Sequence, residues 1–153
     1  MKIITTTILL LIMCFFLCAH SALAAQDTTF KKVQLDQFIV QQKNSIEGNG
    51  KTITMAAPIS FTAKMKRFPE QKEMSYIYQA MEISGVSPLP EVNHRMFIES
   101  AGGRIIPVYV EKNTVAKLKK GLKEEQNANF IGYHVYNYSK GPAVLVVDFN
   151  PAR

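Results

Sequence analysis

The stretch that decides the fold is Thr52–Lys66 (TITMAAPISFTAKMK), in which two kinds of residue alternate. From Ile53 to Met65 the odd-numbered residues are apolar, and most residues between them are polar or small. A period of two predicts a β-strand with one buried face. The strand is more than twice the usual five or six residues, so we expect it to bend and to serve two parts of a sheet. Pro58 cannot donate to a ladder, which predicts a bulge or an edge position there.

Four more strands are predicted after this one, in two hairpins. Gly102 and Gly103 supply the backbone conformations that the tight turn of the first hairpin needs. Ser139 to Pro142 (SKGP) joins the strands of the second hairpin. The four strands are His94–Ser100, Arg104–Val110, Asn129–Tyr138 and Ala143–Phe149.

Helices are predicted before the long strand and between the hairpins. Residues 28–44 have a loosely helical apolar spacing, with Asp27 or Thr28 as the N-cap. Asn113 or Thr114 can cap a second helix, which we expect to run to about residue 126.

Residues 68–85 fit two patterns, because their apolar residues suit the spacing of a helix as well as the alternation of a strand. Pro69 near the start and Gly85 at the end favour a helix. The two prolines in residues 86–92 (VSPLPEV) indicate an irregular connector.

One long strand, a hairpin, a helix and a second hairpin are together similar to the elements of an OB-fold. The resemblance covers residues 50–150 and is carried by Gly103–Val110 (GRIIPVYV), the helix after it, and the strands IGYHVYNY and GPAVLVVDF. It implies a mainly β fold with helices, in which a five-stranded Greek-key barrel carries a helix between strands three and four. An N-terminal helix precedes this barrel. Residues 67–93 form an insertion between strands one and two, where the plain pattern has a short turn.

Residues 1–25 have the pattern of a secretory signal peptide. Lys2 precedes the apolar run Ile8–Ala19 (ILLLIMCFFLCA), and the small residues that follow end at Ala24 and Ala25. The apolar run is shorter than the roughly twenty residues of a membrane-spanning helix. We therefore expect cleavage after Ala24 or Ala25, a periplasmic or secreted product, and no stable insertion in a membrane.

Cleavage would remove Cys14 and Cys18, the two cysteines of the chain. The product could then form no disulfide, and its core alone would hold the fold. Its length suits one core, so we predict a barrel domain at 50–153 after a helical segment at 26–49. The formal charge of +6 would become +5, because Lys2 is the one charged residue removed. This charge favours acidic partners, but it is also modest enough to serve solubility alone.

No constellation in the sequence argues for catalysis. The product would have no thiol and has no G-x-S-x-G elbow. Gly48–Thr52 (GNGKT) has the ending of a phosphate-binding loop, but Ser45 stands where that motif needs its first glycine. His94 and His134 are forty positions apart and do not have metal-ligand spacing. We predict no enzyme, no catalytic residue, no metal site and no cofactor.

A binding face is the remaining candidate, and strand alternation predicts its members. Inward-facing Met96 and Ile98 would turn their neighbours outward, and inward-facing Ile131, Tyr133 and Val135 would do the same on the fourth strand. Aromatic rings interleaved with cations suit nucleic-acid bases or sugar rings. Tyrosine and phenylalanine also pack across strands without any ligand, and that alternative stays open. The candidate ligand-binding residues are Arg95, Phe97, Tyr109, His134, Tyr136, Tyr138 and Lys140.

The leading hypothesis is an exported, non-enzymatic OB-fold binding protein that recognises a small or extended ligand, such as an anion or an oligosaccharide. A first alternative is an interaction subunit of an envelope or secretion assembly, which would dock through the insertion and the N-terminal helix. A second alternative is single-stranded nucleic-acid binding. Asn137-Tyr138-Ser139 has the form of a glycosylation sequon, which matters only in a eukaryotic host.

Overall fold

The computed structural model describes residues 29–44 and 50–152. The predicted signal peptide, the caps Asp27 and Thr28, and residues 45–49 lie outside these residues.

The described residues form a mainly β fold, as predicted, with six strands and three helices. The four later strands are confirmed to within two residues at each end. The elements in chain order are β1 (Lys31–Lys32), α1 (Leu35–Asn44), β2 (Lys51–Gln71), α2 (Tyr76–Ile83), β3 (Val92–Glu99), β4 (Ile105–Glu111), α3 (Lys112–Gly121), β5 (Asn127–Tyr138) and β6 (Gly141–Pro151).

The strand β2 is 21 residues long and pairs with two different ring strands along its length, as predicted for a strand that serves two parts of a sheet. Residues 51–64 pair with β5, and residues 64–71 pair with β3. The register shifts between Ile53 and Ala57, so a bulge directly precedes Pro58. Proline has no N–H to donate to a ladder, so a bulge beside Pro58 is one of the two arrangements that its position predicts.

The strands hydrogen-bond in a ring within one mixed sheet. In order around the ring, β2 is followed by β3, β4, β6 and β5, and β5 pairs again with β2. All of these pairs are antiparallel except β4 with β6, which is parallel and joined through two residue pairs, at Tyr109 and Val110. The short β1 adds to β2 outside the ring.

The two faces of the sheet pack into separate hydrophobic clusters. On β6, Val144 and Val146 belong to the first cluster, whereas Ala143 and Leu145 belong to the second. The first cluster contains the fully buried Phe61 and is covered by α1 and α3. The second cluster is covered by α2.

The segment 68–85 contains both of the structures that its sequence suits. β2 continues to Gln71, so Pro69 lies in a strand. The prediction that a helix starts at Pro69 is therefore wrong. The strand extends this far because its last residues pair with β3. α2 begins at Tyr76, and Gly85 follows it with a φ of 82°, as predicted for the end of a helix.

The other two helices are shorter than predicted because neighbouring residues hydrogen-bond to β2. α1 begins at Leu35, since Lys31–Lys32 form β1 against β2. α3 ends at Gly121, since the Glu125 amide beyond it donates to the Met65 carbonyl oxygen.

Asp36 fastens α1 to the turn between β3 and β4. Its Oδ1 accepts a hydrogen bond from the Ser100 hydroxyl at 2.5 Å, and its Oδ2 accepts one from the Gly102 amide at 2.8 Å. The Nε of Arg104 lies 4.0 Å from Oδ1. The Ser100 hydrogen bond is the main cause that lowers the pKa of Asp36. The ionised carboxylate is therefore the form that holds the helix in place.

Replacing Asp36 with alanine should lower the free energy of unfolding at pH 7 by about 1 to 3 kcal/mol, because two hydrogen bonds to a charged group are lost. The pKa of Asp36 is lowered by folding, so this stabilisation is complete above the unfolded value of about 4 and is lost as the pH falls below it. Urea unfolding at pH 7 and pH 3 should show a difference between wild type and Asp36→Ala that shrinks in acid.

Asp148→Ala is the matched control, because its carboxylate forms an exposed pair with Lys117 at 3.4 Å. Such pairs contribute less than about 1 kcal/mol. Equal effects of the two substitutions at pH 7 would contradict the role given to Asp36.

Candidate ligand-binding site

A cavity of about 340 Å³ lies where the ends of β2 and β5 meet β3 and β4. Strand pairing brings these segments together, since Lys51 is opposite Tyr138 and Arg95 is opposite Tyr109. We refer to it below as the ligand cavity. Five of the seven predicted binding residues line it: Arg95, Tyr109, Tyr136, Tyr138 and Lys140.

Cations dominate the charged lining of the ligand cavity. Lys51 and Lys72 join Arg95 and Lys140, and Glu73 is the one acidic residue among the described lining residues. Sequence reasoning missed both lysines and Glu73. Lys51 and Lys72 flank opposite ends of β2, and only closure of the ring brings them to one cavity.

Tyrosines form one wall of the ligand cavity. The hydroxyls of Tyr109 and Tyr136 are 2.5 Å apart and hydrogen-bonded, and Tyr136 is 4% exposed. The rings of Tyr76 and Tyr138 pack against the Tyr136 ring, with centroids 5.0 and 6.0 Å away. Burial raises the pKa of Tyr136 and of Tyr138, so both remain neutral at physiological pH. The wall thus offers neutral hydroxyls and aromatic surface beside the cations.

Arg95 is held at the cavity by two neighbours. Its Nη2 donates to Glu70 Oε1 at 2.7 Å, which lowers the pKa of Glu70. Its guanidinium carbon lies 5.0 Å from the centre of the Phe97 ring, a cation–π arrangement. Its Nε is buried and has no hydrogen-bond partner among the described residues. Phe97 is outside the cavity lining and supports Arg95 from the side.

The predicted outward orientation of His134 is wrong. The predicted inward face of β5 is wrong before its bulge: Phe130 packs in the first cluster, whereas the predicted inward Tyr133 and Val135 pack in the second. The register against β6 then shifts between His134 and Tyr136, which places Tyr136 on the same face as Tyr133. His134 is 4% exposed, hydrogen-bonds through Nε2 to Asn137 Oδ1 at 2.7 Å, and meets the Phe38 ring of α1 edge-on. It lies between β5 and α1, away from the ligand cavity. On β3 and β4 the predicted inward residues are buried: Met96, Ile98, Ile106, Val108 and Val110.

The sequon residue Asn137 is buried. It is 2% exposed, and its Nδ2 donates to Gln42 Oε1 of α1 at 2.8 Å. A glycan on Nδ2 would displace α1 from β5, so the folded chain does not present this sequon for modification.

Known signatures add little to this geometry. Comparison of the chain with models of known protein families and with curated proteins gives no match. Within residues 29–44 and 50–152, no three His, Cys, Asp or Glu residues cluster as a metal site would require. No helix in the same ranges combines the length and apolar character needed to cross a bilayer.

Protonation of His134 should destabilise the fold, because burial lowers its pKa below the usual 6.5. Between the folded and unfolded pKa values the unfolded chain binds more protons, so stability is full above about pH 6.5 and falls as the pH drops below it. In urea unfolding from pH 7.5 to pH 5, His134→Gln should lose less stability than wild type.

His94→Gln is the comparison variant, because burial lowers the pKa of His94 as well but its side chain is only partly buried. It should reduce the pH dependence less than His134→Gln does. An unchanged pH dependence in His134→Gln would show that His134 does not oppose acid unfolding.

Proposed function

We propose that this protein is an exported, non-enzymatic binding protein with an OB-fold-like barrel, and that its ligand cavity binds an anion carrying ring structures. The convergence of four cations and a tyrosine wall on one cavity is the observation that carries the proposal.

The strand order supports the OB-fold-like part of the proposal. In the order β2, β3, β4, β6 and β5, the helix α3 lies between the third and fourth strands of the chain's five ring strands. OB-folds bind ligands on strands two and three, beside the loops that follow strands one and four. Arg95 and Tyr109 occupy those two strands, and Lys72 and Lys140 occupy those two loops.

The charge balance supports an anionic ligand. Neither Lys72 nor Lys140 has a carboxylate of a described residue within ion-pair distance, although the charge of Lys72 also acts on Glu70. The buried Nε of Arg95 adds a donor without an acceptor among the described residues. The tyrosine hydroxyls would orient a sugar or base, and the volume of about 340 Å³ suits one or two rings.

Mutation of Lys72 and Arg95 to glutamine should weaken binding of anionic probes at least about tenfold, since each removes a charged hydrogen-bond donor. The probes are digalacturonate and the dinucleotide pTpT, with cellobiose as a neutral disaccharide. Amide shifts in NMR titrations at low and high salt give the affinities. Binding of either anion should weaken with salt, and cellobiose should bind least.

Lys120→Gln/Lys123→Gln is the matched control, because it removes the same charge from exposed residues outside the cavity. The proposal would be contradicted if the wild type bound neither anion. Equal losses of affinity in the two double variants would contradict it as well.

Exposed apolar side chains favour the interaction subunit as a second candidate. Met55 is 87% exposed and Ile83 is 62% exposed, and the hydrogen bond from the Ala56 amide to the Ser84 carbonyl oxygen places the two segments side by side. Ile83 belongs to the insertion that this hypothesis would use for docking. Contiguous exposed apolar surface is typical of protein contacts.

Crosslinking and mass spectrometry in cells should recover a recurrent partner of the wild type. Ile83→Asp should abolish this crosslink, because a carboxylate would be buried unpaired in the contact. Gln79→Asp, an exposed position on the same helix, should retain it. The same crosslinks in both variants would argue against docking through this surface.

A further inference from the structure

A second cavity of about 550 Å³ opens beside the first, between α1, the start of β4 and the turn between β5 and β6. It is called the α1–β4 groove below. Its charged lining residues are Lys43, Arg104 and Lys140, and none of the described lining residues is acidic.

The positive charge of the α1–β4 groove is largely free. Lys43 and Lys140 form no ion pair with a described residue. Arg104 is 4.0 Å from Asp36, whose carboxylate already accepts hydrogen bonds from Ser100 and Gly102. The groove therefore favours an occupant with more than one negative charge.

Apolar side chains lie among these cations. Val40 and Ile105 are 39% and 56% exposed, and the buried Ile39 and Ile106 lie beneath them. An occupant that matches this surface has an apolar face as well as charged edges. Because the exposed side chains are aliphatic, the described lining offers no flat ring on which a base could stack.

Lys140 connects the two cavities, since it lines both. Because both cavities contact Lys140, a ligand that extends past this side chain can contact the α1–β4 groove as well. A ligand confined to the ligand cavity would not contact Lys43 or Arg104.

We propose that the α1–β4 groove is a second binding site, which holds the continuation of a linear anionic polysaccharide whose other end occupies the ligand cavity. This inference rests on the proposed function. The C–H faces of the sugar rings pack on Val40 and Ile105, while carboxylate or sulfate groups on the ring edges pair with Lys43, Arg104 and Lys140. Aliphatic side chains favour sugar rings over bases here.

Chain length tests the proposal. Wild type should bind hexagalacturonate at least about tenfold more tightly than digalacturonate, because only the hexamer reaches both cavities. Lys43→Gln/Arg104→Gln should lose most of that gain and bind the dimer as wild type does. Lys140→Gln should weaken both ligands.

The charge-matched control is again Lys120→Gln/Lys123→Gln, which should keep the gain from chain length. Lys43→Gln alone repeats the test without touching the Asp36 contacts, so a folding defect in the double variant would not obscure the result.

Four results would overturn the inference. If the hexamer bound no more tightly than the dimer, the groove would be excluded as a binding site, while the ligand cavity would remain one. The same would follow if the gain in affinity with chain length survived Lys43→Gln/Arg104→Gln. Tighter binding of hexathymidylate than of hexagalacturonate, with the same dependence on Lys43 and Arg104, would replace the polysaccharide with a nucleic acid. If the wild type bound neither digalacturonate nor pTpT, the proposed function would be wrong, and the inference would be wrong with it.

Discussion

The fold depends on the double pairing of β2 with β5 and β3. An extended strand of 21 residues would span about 70 Å at roughly 3.3 Å per residue. Lys51 at its start and Lys72 just beyond its end nevertheless line one cavity of about 340 Å³. The strand must therefore wrap around the ring, and the ligand cavity lies where its ends come together.

The bulge in β5 divides one strand between two tasks. Before it, His134 faces α1 and, with Asn137 and Gln42, joins that helix to the sheet. After it, Tyr136 and Tyr138 face the ligand cavity. In a regular strand, His134, Tyr136 and Tyr138 would share one face. The bulge is therefore what places His134 against α1 and the two tyrosines at the cavity.

The sequence predicted local structure better than long-range structure. Alternation and turn glycines located the later strands, and five of the seven candidate residues do meet. His134 was misplaced because both faces of β5 carry large apolar side chains, and Phe130 rather than Ile131 or Tyr133 is the residue that packs in the first cluster. Lys51 and Lys72 were missed because ring closure alone makes them neighbours. The ends of α3 and β2 likewise depend on hydrogen bonds to residues far along the chain, such as that from Glu125 to Met65.

The parallel contact between β4 and β6 has a consequence for motion. Two residue pairs join these strands, so this seam has the fewest ladder hydrogen bonds of the ring and is where local opening costs least. Tyr109, which forms part of the cavity wall, is one of the paired residues. An occupant that held Tyr109 against β5 would stabilise the pairing of β4 with β6. Amide hydrogen exchange of both strands would then slow together when it bound.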